Sequence, residues 1–503
     1  MQLATLYTRA LNGIDASPVT VEVHLSNGLP AFSIVGLPEA AVRESKDRVR
    51  AAIINSCFDF PARKITVNLA PADLPKDGGR YDLPIALGIL AASGQIDKSN
   101  LAEYEFHGEL ALSGLLRDVN GSLPVGMAAK ANNKKLIMPE RNAQQAALIE
   151  NAEIYSASNL LTVCQHLQGL EKLPLAIAPE ISTHYQNIAD MSDVRGQHHA
   201  RRALEIAAAG RHNILMIGPP GTGKSMLASR LAGILPPMTT QQALESAAIK
   251  SISHQGFDIS QWKKRPFRSP HHTASGVALV GGGSKPSPGE ISLAHQGVLF
   301  LDELTEFDRH TLDVLREPLE TGIITISRAA RQADFPAQFQ LIAAMNPCPQ
   351  GYSCDGKNLC QCTFEQQQKH RGRISAPFLD RIDIQIEVPR IEHIALDSKT
   401  ARGESSKDIR KRVDIAFRHQ QNRSPRFNAE LNITEIEKFC TLQRSEKLIL
   451  DKAMDKLKLS ARAYHRILKL SRTIADIENS QNIELPHLTE AISYRSLDRF
   501  IKS

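Results

Sequence analysis

At 503 residues, with 42% hydrophobic and 23% charged side chains, the chain has material for about three domains, each with a buried core. Its 60 Lys and Arg against 54 Asp and Glu leave a net +6, too small a bias to name a polyanionic partner, so any nucleic-acid contact must come from local patches. The opening MQLATLYTRALNGID lacks the basic and apolar segments of a signal peptide, and no apolar run nears the ~20 residues of a membrane span, which points to a cytoplasmic protein with no membrane partner.

Residues 1–170 alternate short strand-like runs (VTVEVHLS, AFSIVGL, KITVNLA, KKLIMP) with helical segments at Glu39–Ile54 and Leu83–Ala92, the pattern of a compact α/β domain. Residues 171–189 mix prolines and polar residues without a sustained period and read as a linker. From Asp190 to Pro389 a second α/β unit follows, in which the apolar runs NILMIG, GVLFLDE and FQLIAAMNP each end in polar residues. That pattern predicts a parallel sheet with functional loops at its carboxyl ends. Residues 390–503 are helical in pattern almost throughout, including Ser406–Gln421, Ser445–Lys456 and Ser460–Ile477.

The strongest motif is GPPGTGKS, comprising Gly218, Pro219, Pro220, Gly221, Thr222, Gly223, Lys224 and Ser225, set between the strand NILMI and the helical MLASRLAGIL. Backbone N–H groups of such a loop wrap phosphate oxygens, the lysine reaches the β and γ phosphates of ATP, and the serine hydroxyl holds Mg²⁺. Four apolar residues later in the chain, Val298–Leu301, lead into Asp302 and Glu303. Alone that pair is a solvated strand end. Beside a phosphate loop, Asp302 suits a Mg²⁺ contact and Glu303 the activation of water. A third strand ends at Asn346, whose amide is either a turn residue or a sensor of the γ phosphate. In PFLDRIDI, Arg381 either pairs locally with Asp380 or Asp383 or projects into a neighbouring subunit's site. In the tail, Arg462 lies near a helix start, as part of an exposed basic face or as a lid residue on phosphate.

The run RPFRSPHHTASGVALVGGGSKPSPGEISLAHQGVLFLDEL, with DVRGQHHARRALEIAAAGRHNILMIGPPGTGKS before it and PFLDRIDI after it, resembles the magnesium-chelatase-like AAA+ ATPases. More narrowly, the chain resembles the YifB/ComM family along essentially its whole length. The resemblance implies a Lon-protease-like N-terminal α/β domain (ribosomal S5 domain 2-like), an AAA+ core and a C-terminal helical lid. It further implies that Lys224 and Ser225 act as Walker A residues and Asp302 and Glu303 as the Walker B pair. Asn346 becomes sensor 1, Arg381 an arginine finger and Arg462 sensor 2. Members include ring-forming DNA helicases that drive branch migration during natural transformation, so the implied partners are single-stranded, double-stranded or branched DNA, copies of the same chain in a hexamer, and recombination proteins. The rival implication is the motor subunit of a metal chelatase.

Within the first domain, KDGGRYDLP (Lys76–Pro84) resembles the approach to the catalytic serine of Lon-type peptidases, with Arg80 in the serine's place. GELALSGLLRDVNGSLPVGMAAKANNKKLIMPE resembles the region of their lysine, with Pro124 at that position. Without nucleophile or base, the resemblance implies a catalytically dead scaffold.

Three basic groups are candidates for gripping DNA. ITIS and FPAQFQL have strand character around a turn carrying Arg328 and Arg331, a hairpin that either presents two cations to phosphates or ends in a solvated tip. QWKKRPFRSPHH interleaves Lys263, Lys264, Arg265 and Arg268 with Trp262 and Phe267, a pattern for phosphate contact and base stacking or for packing between subunits. Lys369, His370, Arg371 and Arg373 form the third group, which either grips DNA or makes an intersubunit surface near the bound nucleotide. Of seven cysteines, Cys348, Cys354, Cys360 and Cys362 cluster, as a shifted tetrahedral zinc site or as thiols in an exposed loop.

Overall fold

The structure is a computed structural model that describes residues 2–179, 189–283, 286–328, 331–351, 362–390, 403–457 and 459–495. β1 (Leu3–Asn12) and β2 (Asp15–Ser26) form an antiparallel hairpin, to which β3 (Ala31–Val35), β4 (Lys64–Ala70) and β5 (Tyr104–Phe106) are added. β6 (Glu109–Leu110) and β7 (Leu116–Arg117) make a short ribbon alongside, and β8 (Lys135–Pro139) and β9 (Ile154–Ala157) complete a seven-stranded mixed sheet of order β3-β4-β2-β1-β5-β8-β9. Residues 174–176 run beside β9, where Ser156 donates to Pro174 and Ala176 to Ile154.

The helix Asp82–Ala92 is buried along its whole length, as its unbroken apolar sequence dictates. It lies so close to the sheet that a Cβ on Gly88 would stand 2.5 Å from Val23 Cγ2.

In the second unit, β10 (Ile214–Ile217) follows the helix His198–Gly210, and β11 (Phe267–Arg268) precedes a small ribbon of β12 (Gly281–Gly282) and β13 (Ser287–Pro288). β14 (Val298–Leu301), the hairpin of β15 (Ile323–Arg328) and β16 (Arg331–Pro336), β17 (Gln340–Met345) and β18 (Ile384–Glu387) follow. The main sheet has order β11-β14-β17-β10-β18, and every pairing in it is parallel. All residues of β10, β14 and β17 are buried, which explains their continuous apolar runs. The sheet is the parallel α/β core of an AAA+ fold. The tail contributes the helices Ser406–Arg423, Arg444–Leu457, Ala461–Ile477 and Leu485–Ser493, several of which pack on one face of that sheet. No helix among the described residues is long and apolar enough to cross a membrane.

One element differs from its sequence reading. The hairpin's second strand is RQADFP, and FQL belongs instead to β17 and its approach. The antiparallel pairing runs from Ile323 opposite Pro336 to Arg328 opposite Arg331, and Pro336, with no N–H to donate, closes it.

The two sheets are joined by contacts of two kinds. At the β1–β2 turn, Asn12 Nδ2 donates to Gln332 O at 3.0 Å, and Gly13 (φ +62°) lies so near β16 that a Cβ would meet Ala333 Cβ at 3.2 Å. Leu123, Val125 and Ile149 share an apolar cluster with Leu244, Ala247 and Phe257 across the boundary.

The amino end of the parallel sheet is held by Asp383. It accepts from Asn213 N at 2.9 Å, pairs with the Arg466 guanidinium, and lies 3.6 Å from His212 Nδ1. Burial alone would raise its pKa, but Arg466, His212 and the Asn213 N–H hold the carboxyl well below the usual carboxylate range. Its contribution is therefore complete at neutral pH and is withdrawn only as pH falls below the unfolded value of about 3.9. Asp383→Ala is expected to cost about 2–3 kcal/mol in urea unfolding at pH 7, since it removes a buried carboxylate and leaves the half-buried Arg466 guanidinium and the Asn213 N–H without it.

Candidate active site

The loop between β10 and the helix Lys224–Leu231 is shaped by its glycines. Gly221 (φ +78°) and Gly223 (φ +88°) occupy the left-handed region, and a Cβ on Gly218 would stand 2.3 Å from Val388 O. The loop thus turns tightly at the start of a helix, the setting in which backbone N–H groups bind anions. Lys224 is 8% exposed, and its Nζ donates to Gly218 O (2.7 Å), Pro219 O (2.9 Å) and Asn346 Oδ1 (3.2 Å). Burial lowers its pKa, opposed by the charges of Asp302 and Glu303.

β14 and β17 deliver the remaining groups at the same end of the sheet. Ser225 Oγ donates to Asp302 Oδ2 at 2.5 Å, and Asp302 Oδ1 accepts from Glu303 N at 2.9 Å. Glu303 has φ +51°, a conformation that costs a non-glycine residue about 1 kcal/mol or more. Asn346 is braced from behind, where His370 Nε2 donates to its carbonyl at 3.1 Å. A cavity of about 380 Å³ is lined by residues 220–226, Asp302, Glu303, Met345 and Asn346. Hard oxygen donors from Ser225 and Asp302 beside a lysine and a ring of amides fit a nucleotide phosphate tail with Mg²⁺.

Two residues escaped the sequence reading. His272 Nδ1 lies 3.2 Å from Glu303 Oε2, and His272 stacks on His271 with ring centroids 4.1 Å apart. The loop carrying it leaves β11, which pairs in parallel with β14, so both arrive at the same sheet edge. Its signal was present as PHH but had no partner in sequence. Glu320 is the second, and nothing in the sequence singled it out.

The remaining predicted residues lie elsewhere. Arg381 is buried; its guanidinium donates to Arg316 O (3.0 Å) and Pro377 O (2.6 Å) and pairs with Glu320 Oε1 (2.6 Å). Arg462 NH2 lies 3.4 Å from the same Glu320 oxygen. Asn213 Nδ2 donates to Arg381 O at the amino end of β10, so Arg381 sits about 13 Å, one strand length, from the phosphate loop of its own chain. Arg373 pairs instead with Thr305 O and Glu306 just past the Asp-Glu pair.

The interleaved basic segment is largely committed to packing. Trp262 meets Phe257 at the boundary between the sheets, Phe267 packs on Phe300, and Arg268 forms a bidentate pair with Glu290 at 2.6 Å. Arg268 is thus not the open cation the pattern suggested; Lys263 and Lys264 stay exposed. The side chains of Arg328 and Arg331 lie outside the described residues, as do Cys354 and Cys360. Cys348 is buried and Cys362 half-buried, and among the described residues no group of three or more His, Cys, Asp or Glu could hold a metal ion. In the first sheet's unit Arg80 and Pro124 are both buried. Ser93 Oγ donates to Leu90 O and Ser122 Oγ to Gln145 Oε1, both structural bonds.

Three family models match: magnesium chelatase subunit ChlI over residues 190–396, subunit ChlI of Mg-chelatase over 21–142, and the magnesium chelatase subunit ChlI C-terminal region over 403–495. The competence protein ComM of Haemophilus influenzae is 53% identical over 506 residues, covering 100% of this chain and 99% of that protein. The chain belongs to the YifB/ComM family. YifB of Salmonella typhimurium is 51% identical, covering 100% of this chain and 98% of its own length. By contrast, the magnesium-chelatase subunit ChlI of Cyanophora paradoxa is 27% identical and matches 27% of this chain and 45% of its own length. The YifB/ComM chain is thus an AAA+ protein of the ATPase type, with the ATP and Mg²⁺ use that type implies.

Two outcomes follow for this site. Gly218→Ala, which drives a methyl into Val388 O, is expected to weaken binding of a fluorescent ATP analogue by about tenfold or more while leaving secondary structure intact. His272→Ala is expected to lower turnover severalfold with little change in KM for ATP, since the imidazole touches the carboxylate and not the cavity.

Proposed function

We propose that this chain is an ATP-hydrolysing motor that works as a ring of six copies and moves branched DNA during recombination. The observation that carries the reading is the split of the machinery. Phosphate loop, Mg²⁺ ligands and water-activating carboxylate gather at one end of the parallel sheet, while Arg381 and Arg462 stand together at the other. A chain so built has its cations facing away from its own nucleotide, which suits donation to a neighbour's site.

In this reading Lys224 binds the β and γ phosphates and the loop amides orient them. Ser225 and Asp302 hold Mg²⁺, which when bound neutralises charge on the phosphates. Glu303 takes the proton of the attacking water, and Asn346, steadied by His370, orients that water. Arg381 and Arg462 of one copy stabilise transition-state charge in the next. The β15–β16 hairpin, with Arg328 and Arg331 at its turn, contacts DNA phosphates without regard to sequence.

Full-length correspondence to a protein named for competence supports a role in natural transformation, with helicase-like branch migration as the output. The names of the matching family models favour a second reading, a motor that remodels a partner protein for metal insertion. The short, partial match to a chelatase subunit weighs against it.

Steady-state ATP hydrolysis, measured with and without forked or four-way-junction DNA alongside displacement of a labelled strand, separates the two. DNA should raise turnover, and Glu303→Gln should lower it by about 10²–10⁴-fold and abolish displacement. Arg328→Ala and Arg331→Ala should each reduce the slope of log affinity against log salt by about one. Turnover indifferent to every DNA structure would sink the motor reading in favour of the partner-protein one.

A further inference from the structure

Glu320 forms ion pairs with both Arg381 and Arg462. Its Oε1 lies 2.6 Å from the first guanidinium and 3.4 Å from the second. The other acceptors of Arg381 are backbone carbonyls, of Arg316 and Pro377, which cannot move without moving the fold. Glu320 can move. It sits in the four-residue helix Pro318–Thr321, its side chain is 45% exposed, and that helix ends at Gly322 (φ +70°) directly before β15.

The helix is tied to the hairpin. Thr321 Oγ1 accepts from Ile323 N at 3.2 Å, and Ala337 N, just beyond β16, donates to Gly322 O at 2.7 Å. A displacement of the hairpin is thus transmitted to Glu320 within two residues.

A carboxylate satisfies a guanidinium with the same charge-assisted bonds that a phosphate offers, and two guanidiniums on one carboxylate reproduce the company a γ phosphate would keep. We propose that Glu320 is a latch that competes with the neighbouring copy's γ phosphate for Arg381 and Arg462, and that DNA pulling on the hairpin releases both. The inference rests on the reading that these two arginines complete a neighbour's site. It adds the element that makes their release depend on DNA.

The test uses the full chain with Glu320→Gln, Glu320→Ser and Glu320→Asp, and follows ATP turnover with and without a forked DNA duplex. Gln and Ser remove the charge that competes with phosphate. Both should raise DNA-free kcat about two- to fivefold, the range a partly exposed ion pair supports, with KM for ATP nearly unchanged. Stimulation by the fork should shrink correspondingly, whereas Asp, which keeps the charge, should keep DNA dependence. Agreement between Gln and Ser, at an assay temperature well below the thermal midpoint of either variant, excludes a folding artefact. If the unaltered chain is stimulated and Arg381→Ala is inactive, but the Gln and Ser variants leave DNA-free turnover unchanged or lower, the latch is overturned and the motor stands. If the unaltered chain ignores DNA or Arg381→Ala keeps full turnover, the motor reading fails and the latch with it.

Discussion

Strand β10 sets the geometry of the nucleotide core. Its four residues are wholly buried and hydrogen-bonded in parallel on both sides, to β17 and to β18, so it can neither slide nor tilt. Because parallel strands all point the same way, everything that leaves their carboxyl ends collects in one place: the glycine loop from β10, Asn346 from β17 and the Asp302-Glu303 pair from β14. The same alignment collects a different set at the amino ends, where Asp383 binds Asn213 and Arg466 beside Arg381. Two poles of one sheet thus carry different sets of polar side chains, and their separation is fixed by strand length.

The residues that the sequence made legible are those whose meaning is local. GPPGTGKS specifies its own turn, since two of its glycines take left-handed φ and a third admits a neighbouring carbonyl. Runs such as VLFL and QLIAAM read as buried strands because burial on both faces demands unbroken apolar sequence. What resisted reading depends on partners far along the chain. Arg268 looks like a DNA contact until Glu290 is beside it, and Trp262 like a stacking surface until Phe257 closes on it. His272 acquires significance only from the parallel pairing of β11 with β14, which places it against Glu303. FPAQFQL is uniformly strand-like in sequence, and only Pro336 marks where antiparallel pairing ends and the approach to the parallel sheet begins.

The unit built on the first sheet is packed closely around the positions that the sequence marks out. Arg80 and Pro124 are interior residues there, and the helix after Arg80 is wedged against β2 with no room for a side chain at Gly88. A scaffold this tightly packed is well suited to transmit force, because close-packed interiors shift as bodies and deform little.

That rigidity has a consequence at the turn between β1 and β2. Asn12 and Gly13 rest directly on β16, and the apolar residues around Leu123 and Phe257 close the second contact between the units. Neither half is a cassette. Exchanging the first sheet for that of a distant relative would require matching a glycine-sized gap at one contact and an interdigitated apolar surface at the other. Substitutions at the β1–β2 turn would therefore be felt by a hairpin more than three hundred positions downstream.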